Sequence, residues 1–109
     1  MPSINKRVTT WKKIRKIVEY CKKTGYCSFD FETDGSPYHS STGYPTLMGI
    51  SFQPGSSYTI PLGHFDSPFK NHYVKILKYL GKELFQNKEI VKIAWNIQFE
   101  YNWLAKYNI

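Results

Sequence analysis

The chain has 109 residues, enough for at most one small domain, and its 41% apolar and 17% aromatic content is that of a folded protein. Fifteen Lys and Arg against eight Asp and Glu give a net charge of +7, which suits a polyanion such as nucleic acid and serves equally well as a solvated Lys-rich surface. Two cysteines exclude a disulfide framework, no apolar run is long enough to span a bilayer, and MPSINKRVTT lacks the apolar core of a signal peptide, so the expectation is a cytoplasmic protein with no membrane contact.

Residues 3–8 could form a short opening strand. Thr9 or Thr10 can cap the helix that follows, in which Trp11, Ile14, Ile17, Val18 and Cys21 recur at helical spacing and Lys fills the opposite face. Gly25 stops it. Residues 26–32 alternate as a strand does: Cys27, Phe29 and Phe31 share one face, and Tyr26, Ser28, Asp30 and Glu32 the other. A Gly-, Ser- and Pro-rich loop spans residues 35–45. Leu47–Gln53 and Ser57–Pro61 flank Pro54-Gly55 and make a hairpin.

The segment LGHFDSP leads to a helix over residues 68–86, with Tyr73, Ile76, Leu77, Leu80 and Leu84 as its buried stripe. Glu89–Trp95 is a compact apolar run and predicts a buried strand. A last helix starts near Ile97, with Ile97, Tyr101 and Leu104 on one stripe and Asn96 and Glu100 on a neighbouring one. Strands alternating with covering helices, plus one hairpin, predict an α/β mixed sheet.

The chemistry lies in YCSFDFETDG, residues 26–35. Asp30 and Glu32 leave the same strand face, and two such carboxylates repel unless a proton or a cation intervenes. Mg²⁺ favours hard oxygen ligands, and two such ions about 3.5–4 Å apart can activate water and stabilise a leaving oxygen in phosphodiester cleavage. The same pattern is also that of an edge strand with a solvated polar face, since D-x-E is a common string. The rigid Phe29/Phe31 flank and the abrupt end at Gly35 favour a site. His39, His64 and His72 share no metal-ligand spacing and are expected to be loop or surface residues.

CSFDFETDG resembles the first motif of the DEDD superfamily of 3′–5′ exonucleases. LMGISF and SYTIPLGH resemble the next two strands of the proofreading exonuclease domain in family A DNA polymerases, phage enzymes in particular. KIAWNIQFEYNWL resembles the second motif, Asn-x-x-(Phe/Tyr)-Asp at a strand-to-helix junction. The resemblance spans about residues 5–109. It implies a ribonuclease H-like mixed sheet flanked by helices, C-terminally incomplete, with residues 1–109 forming the N-terminal part of the domain. It further implies Mg²⁺ or Mn²⁺ held by Asp30, Glu32 and Glu100, which are also the catalytic residues. Thr33 would lie near the 3′-terminal nucleotide, and Asn96 would help arrange the site and the substrate strand.

Two departures stand out. Glu100 occupies the place of the family's second-motif aspartate, one methylene further out. The family's third motif, a Tyr or His followed by Asp, has no counterpart before Ile109. The expectation is therefore an exonuclease domain acting on single-stranded DNA 3′ ends, inactive or nearly so until a second polypeptide completes it. If phage-encoded, it would work in the bacterial cytoplasm. A non-catalytic nucleic-acid-binding or polymerase-accessory module of the same fold, or a related exonuclease acting on RNA, are the alternatives.

Overall fold

The computed structural model describes residues 4–109. Strand β1 is Ile4–Arg7; Ser3, which the sequence includes in this strand, lies outside the described residues. Helix α1, Trp11–Thr24, begins where Thr10 adopts an extended backbone and its side chain accepts a hydrogen bond from the Lys13 amide. It ends where Gly25 takes the left-handed conformation, φ +82°, and its N–H donates to Cys21 O. Its buried stripe is Ile14, Ile17, Val18 and Cys21, as the helical period requires.

Strands β2 (Tyr26–Thr33), β3 (Pro45–Gln53) and β4 (Ser56–Pro61) follow. Helix α2, Tyr73–Leu80, runs directly into a π-helical turn, Gly81–Phe85. The helix thus begins five residues later than residue 68, because residues 68–72 form turns rather than helix. Strand β5 is Val91–Ile93 and helix α3 is Ile97–Lys106.

The five strands form one mixed sheet in the order β1-β4-β3-β2-β5. β3 is antiparallel to β2 and β4, whereas β1 runs parallel to β4 and β5 parallel to β2. With the flanking helices this is the α/β, ribonuclease H-like architecture that the sequence predicts.

One sheet face carries the core. Cys27, Phe29 and Phe31 of β2 join Met48, Ile50 and Phe52 of β3, Ile60 of β4 and the stripes of α1 and α2. Phe85 of the π turn packs on Phe29, with ring centroids 4.8 Å apart, and Trp11 of α1 meets Tyr79 of α2 edge-on at 5.6 Å. Removing side chains of this size from water contributes about 1.5–3 kcal/mol each. Both cysteines are free and fully buried within this core, which accounts for them as packing residues. The other face of the sheet presents small and polar side chains instead: Asn5, Ser28, Asp30, Glu32, Gly49, Ser51, Ser57 and Thr59.

Two sequence expectations need correction. The run Glu89–Trp95 is not a buried strand: only its middle pairs with β2, at the sheet edge, leaving Val91 and Ile93 exposed and Trp95 fully so. In α3 the buried residues are Glu100, Trp103 and Leu104, while Ile97 and Tyr101 are exposed. Of the stripe Ile97, Tyr101 and Leu104 only Leu104 is buried, because the inward face is shared with Trp103 and a carboxylate.

Candidate active site

Strand β2 positions the first two carboxylates. Its period of two sends Phe29 and Phe31 into the core and Asp30 and Glu32 outward, both exposed. The buried aromatic flanks hold the strand, so the acids project from a fixed base. The register between β2 and β3 shifts between Glu32 and Thr33, with Thr33 opposite Pro45. Such an irregularity re-aims the strand end just beyond the acids.

Glu100 arrives from α3. β5 pairs with β2 only as far as Ser28, so the Phe31 amide lies beyond the reach of that neighbour. The Phe31 N–H instead donates to Glu100 Oε2 at 3.0 Å. That contact anchors Glu100 at the backbone unit between Asp30 and Glu32. Glu100 is only 4% exposed, which rules out an ordinary solvated helix residue. Its carboxyl is pushed up to about 7, chiefly by burial and further by the negative charges of Asp30 and Glu32, while the Phe31 hydrogen bond acts the other way. Asp30 and Glu32 are thus near enough for their charge to reach Glu100.

α3 is held in place from its far end. Lys106 Nζ donates to Ser40 O at 2.5 Å and to Gly43 O at 2.6 Å, stapling the helix to the loop between β2 and β3. Asp34, the third acid of the run, is used by that loop. Its carboxylate accepts from the Ser36 amide at 3.1 Å, the Ser36 hydroxyl at 3.0 Å and the Tyr44 amide at 3.4 Å. It closes a turn and is not drawn into the cluster.

Thr33 ends β2, half-buried, with Oγ1 accepting from the Gly35 amide at 3.2 Å. Asn96 is exposed at the N-terminus of α3. Its carbonyl accepts from the Phe99 and Glu100 amides, while its side chain makes no capping bond. Its amide is thus available to a ligand. Asp30 and Glu32 line an open groove of about 500 Å³ on the polar sheet face, together with Asn5, Ser51, Thr59 and Trp95. Spacing singled out none of Asn5, Ser51 and Thr59, nor Trp95 and Gly49, though the last two left a trace in the sequence. The signals were an apolar run ending in Trp directly before Asn96 and a glycine in mid-strand. None of the histidines lines this groove: His64 Nδ1 pairs with Asp66 at 2.6 Å, and His39 stacks edge-on with Tyr38.

The donor set is all hard oxygen, and a divalent cation beside Asp30 and Glu32 would offset the negative charge that adds to the burial-driven rise of Glu100. In that sense the residues fit Mg²⁺ or Mn²⁺. The ligand set is open: among the described residues, no three His, Cys, Asp or Glu side chains are arranged to hold one ion together. Among the same residues, no helix is long and apolar enough to cross a membrane.

Comparison with known proteins agrees with this fold. The fold is similar to the catalytic core of RRP6 from Trypanosoma brucei, with a TM-score of 0.68 and 21% identity over 95% of this chain and 26% of that one. It is similar to the Aedes aegypti Nibbler EXO domain, with a TM-score of 0.64 and 14% identity over 96% of this chain and 46% of that one. It is also similar to Brucella melitensis NrnC, with a TM-score of 0.55 and 20% identity over 98% of this chain and 44% of that one. The chain thus spans less than half the length of each of these structures. No curated protein sequence matches it. A sequence profile described as 3′–5′ exonuclease matches residues 5–109, and the chain belongs to that family.

Proposed function

We propose that Asp30, Glu32 and Glu100 form the metal-holding, catalytic part of a proofreading-type exonuclease site that removes 3′-terminal nucleotides from single-stranded DNA. The observation that carries this reading is the Glu100 contact with the Phe31 amide, which brings a buried carboxyl to the backbone unit between Asp30 and Glu32. Mg²⁺ or Mn²⁺, when bound, supplies an activated water and charge stabilisation of the leaving oxygen. Asp30 and Glu32 supply exposed carboxylate oxygens from a rigid strand. Glu100 supplies a carboxyl whose second oxygen is free of the Phe31 bond. Thr33 follows Glu32 at the end of β2 and Asn96 stands one turn before Glu100 at the start of α3; on this reading they orient the terminal nucleotide. The net charge of +7 supports a polyanionic substrate.

The open ligand set supports a further element of the reading: another polypeptide segment completes the site. The exposed Val91, Ile93 and Trp95 at the β5 edge, beside the groove, are a surface for such a segment. General-base and metal effects contribute about 10²-fold or more each, so residues 1–109 alone should be nearly inactive. The same open set favours a second reading, a nucleic-acid-binding or polymerase-accessory module that has the fold without the reaction.

The test is release of the 3′ nucleotide from end-labelled single-stranded DNA, with Mg²⁺ or Mn²⁺. It is run with the chain alone and with an added polypeptide carrying a Tyr-x-x-x-Asp segment. Metal-dependent release in the mixture that disappears on Asp30→Ala supports the nuclease. DNA binding that persists without any release supports the module, and release that survives Asp30→Ala removes these carboxylates from the reaction.

A further inference from the structure

Gly49 lies in the middle of β3, where glycine weakens a strand through its backbone freedom and its missing side chain. Its backbone does not require glycine: the glycines with positive φ are Gly25, Gly35 and Gly55. The explanation lies across the sheet. Gly49 is the direct antiparallel partner of Asp30 on one side and of Thr59 on the other. Directly opposed residues on one sheet face hold their Cβ atoms about 4.5–5.5 Å apart and compete for the space above them. A Cβ at position 49 would lie 2.6 Å from Asp30 Oδ1 and 3.7 Å from Asp30 Cγ, with nothing else within 4 Å. The Asp30 carboxylate therefore lies over the bare Cα of Gly49, at the floor of the groove.

We infer that Gly49 is a positioning residue for Asp30: its missing side chain is the seat in which the Asp30 carboxylate is held in its ion-binding orientation. This rests on the metal-site reading above and adds a residue from the neighbouring strand to it. A methyl group at position 49 meets only the end of a flexible side chain, so the strand itself has no reason to move. Asp30 rotates away instead. Alanine also relieves the conformational cost of glycine. The two effects run in opposite directions, with ion affinity falling and thermal stability holding or rising. A residue needed only for folding would lose both together.

The experiment titrates Mn²⁺ into the chain and its variants by calorimetry and records Tm without metal. Gly49→Ala is expected to weaken Mn²⁺ binding at least tenfold, with Tm unchanged or higher, while Asp30→Ala abolishes it. Mn²⁺ binding by Gly49→Ala equal to wild type, with Asp30→Ala defective, overturns the role of Gly49 and leaves the metal site standing. Failure of wild type to bind, or wild-type binding by Asp30→Ala, overturns both. If Gly49→Ala lowers Tm, the double variant with Asp30→Ala decides. Recovery once the carboxylate is gone supports the contact, and an equal loss in both backgrounds overturns it.

Discussion

Strand β2 has two faces with opposite tasks. Cys27, Phe29 and Phe31 are at most 5% exposed and pack into the core, whereas Asp30 and Glu32, in alternate positions, stand in solvent. The inner face gains by burying apolar area. The outer face gathers like charge, which costs stability in the absence of a cation. With the proposed site on its outer face, a single strand separates folding from function by side-chain parity, and substitutions on its two faces should fail in different ways.

The largest effect is expected on the outer face. In a completed, active assembly, Asp30→Ala should reduce nucleotide release by about 10³-fold or more, roughly 4 kcal/mol of barrier, while its Tm stays level or rises as repulsion is relieved. Steady-state rates and thermal melts on the same samples check this. Phe29→Ala, one residue away, should invert the pattern. Its loss of about 3–5 kcal/mol in urea unfolding reflects a cavity in the core, and the rate should fall only as the folded fraction falls.

Glu100 joins the two faces, and its effect depends on pH. Its carboxyl rises from 4.5 unfolded to about 7 folded, so between those values the folded chain holds a proton that the unfolded chain has released. The stabilisation is complete below pH about 4.5 and is lost as pH rises through about 7, a change of roughly 3 kcal/mol. Glu100→Gln should flatten this part of the stability–pH curve in metal-free urea melts. The smallest effect sits far from the site: Thr10→Ala removes the α1 cap and should cost about 1 kcal/mol, with ion binding unchanged.

Much of the fold was legible in the sequence because its periods are clean. The stripe of α1, the Gly25 stop and the inward aromatics of β2 follow from spacing and steric rules alone. Asp30 and Glu32 were legible for the same reason, since parity puts them on one face. Glu100 was singled out through the family resemblance and not by spacing, because its contact depends on where β5 stops pairing and leaves the Phe31 amide to α3. Asp34 shares the parity of Asp30 and Glu32, yet hydrogen bonds with Ser36 and Tyr44 divert it into a turn. The β5 segment misled because an apolar run looks alike whether another strand covers it or an edge exposes it. Gly49 is a bare glycine in mid-strand in the sequence, and only the register sets it against Asp30.

Carboxyl ¹³C titration of Glu100, with and without saturating Mg²⁺, tests most directly whether the three acids act as one cation-gripping unit. The midpoint is expected near 7 without the ion, moving down when Mg²⁺ is added, and moving down by a smaller step when Asp30 and Glu32 are neutralised, because burial still holds it up. A midpoint that stays in place under both treatments would contradict it.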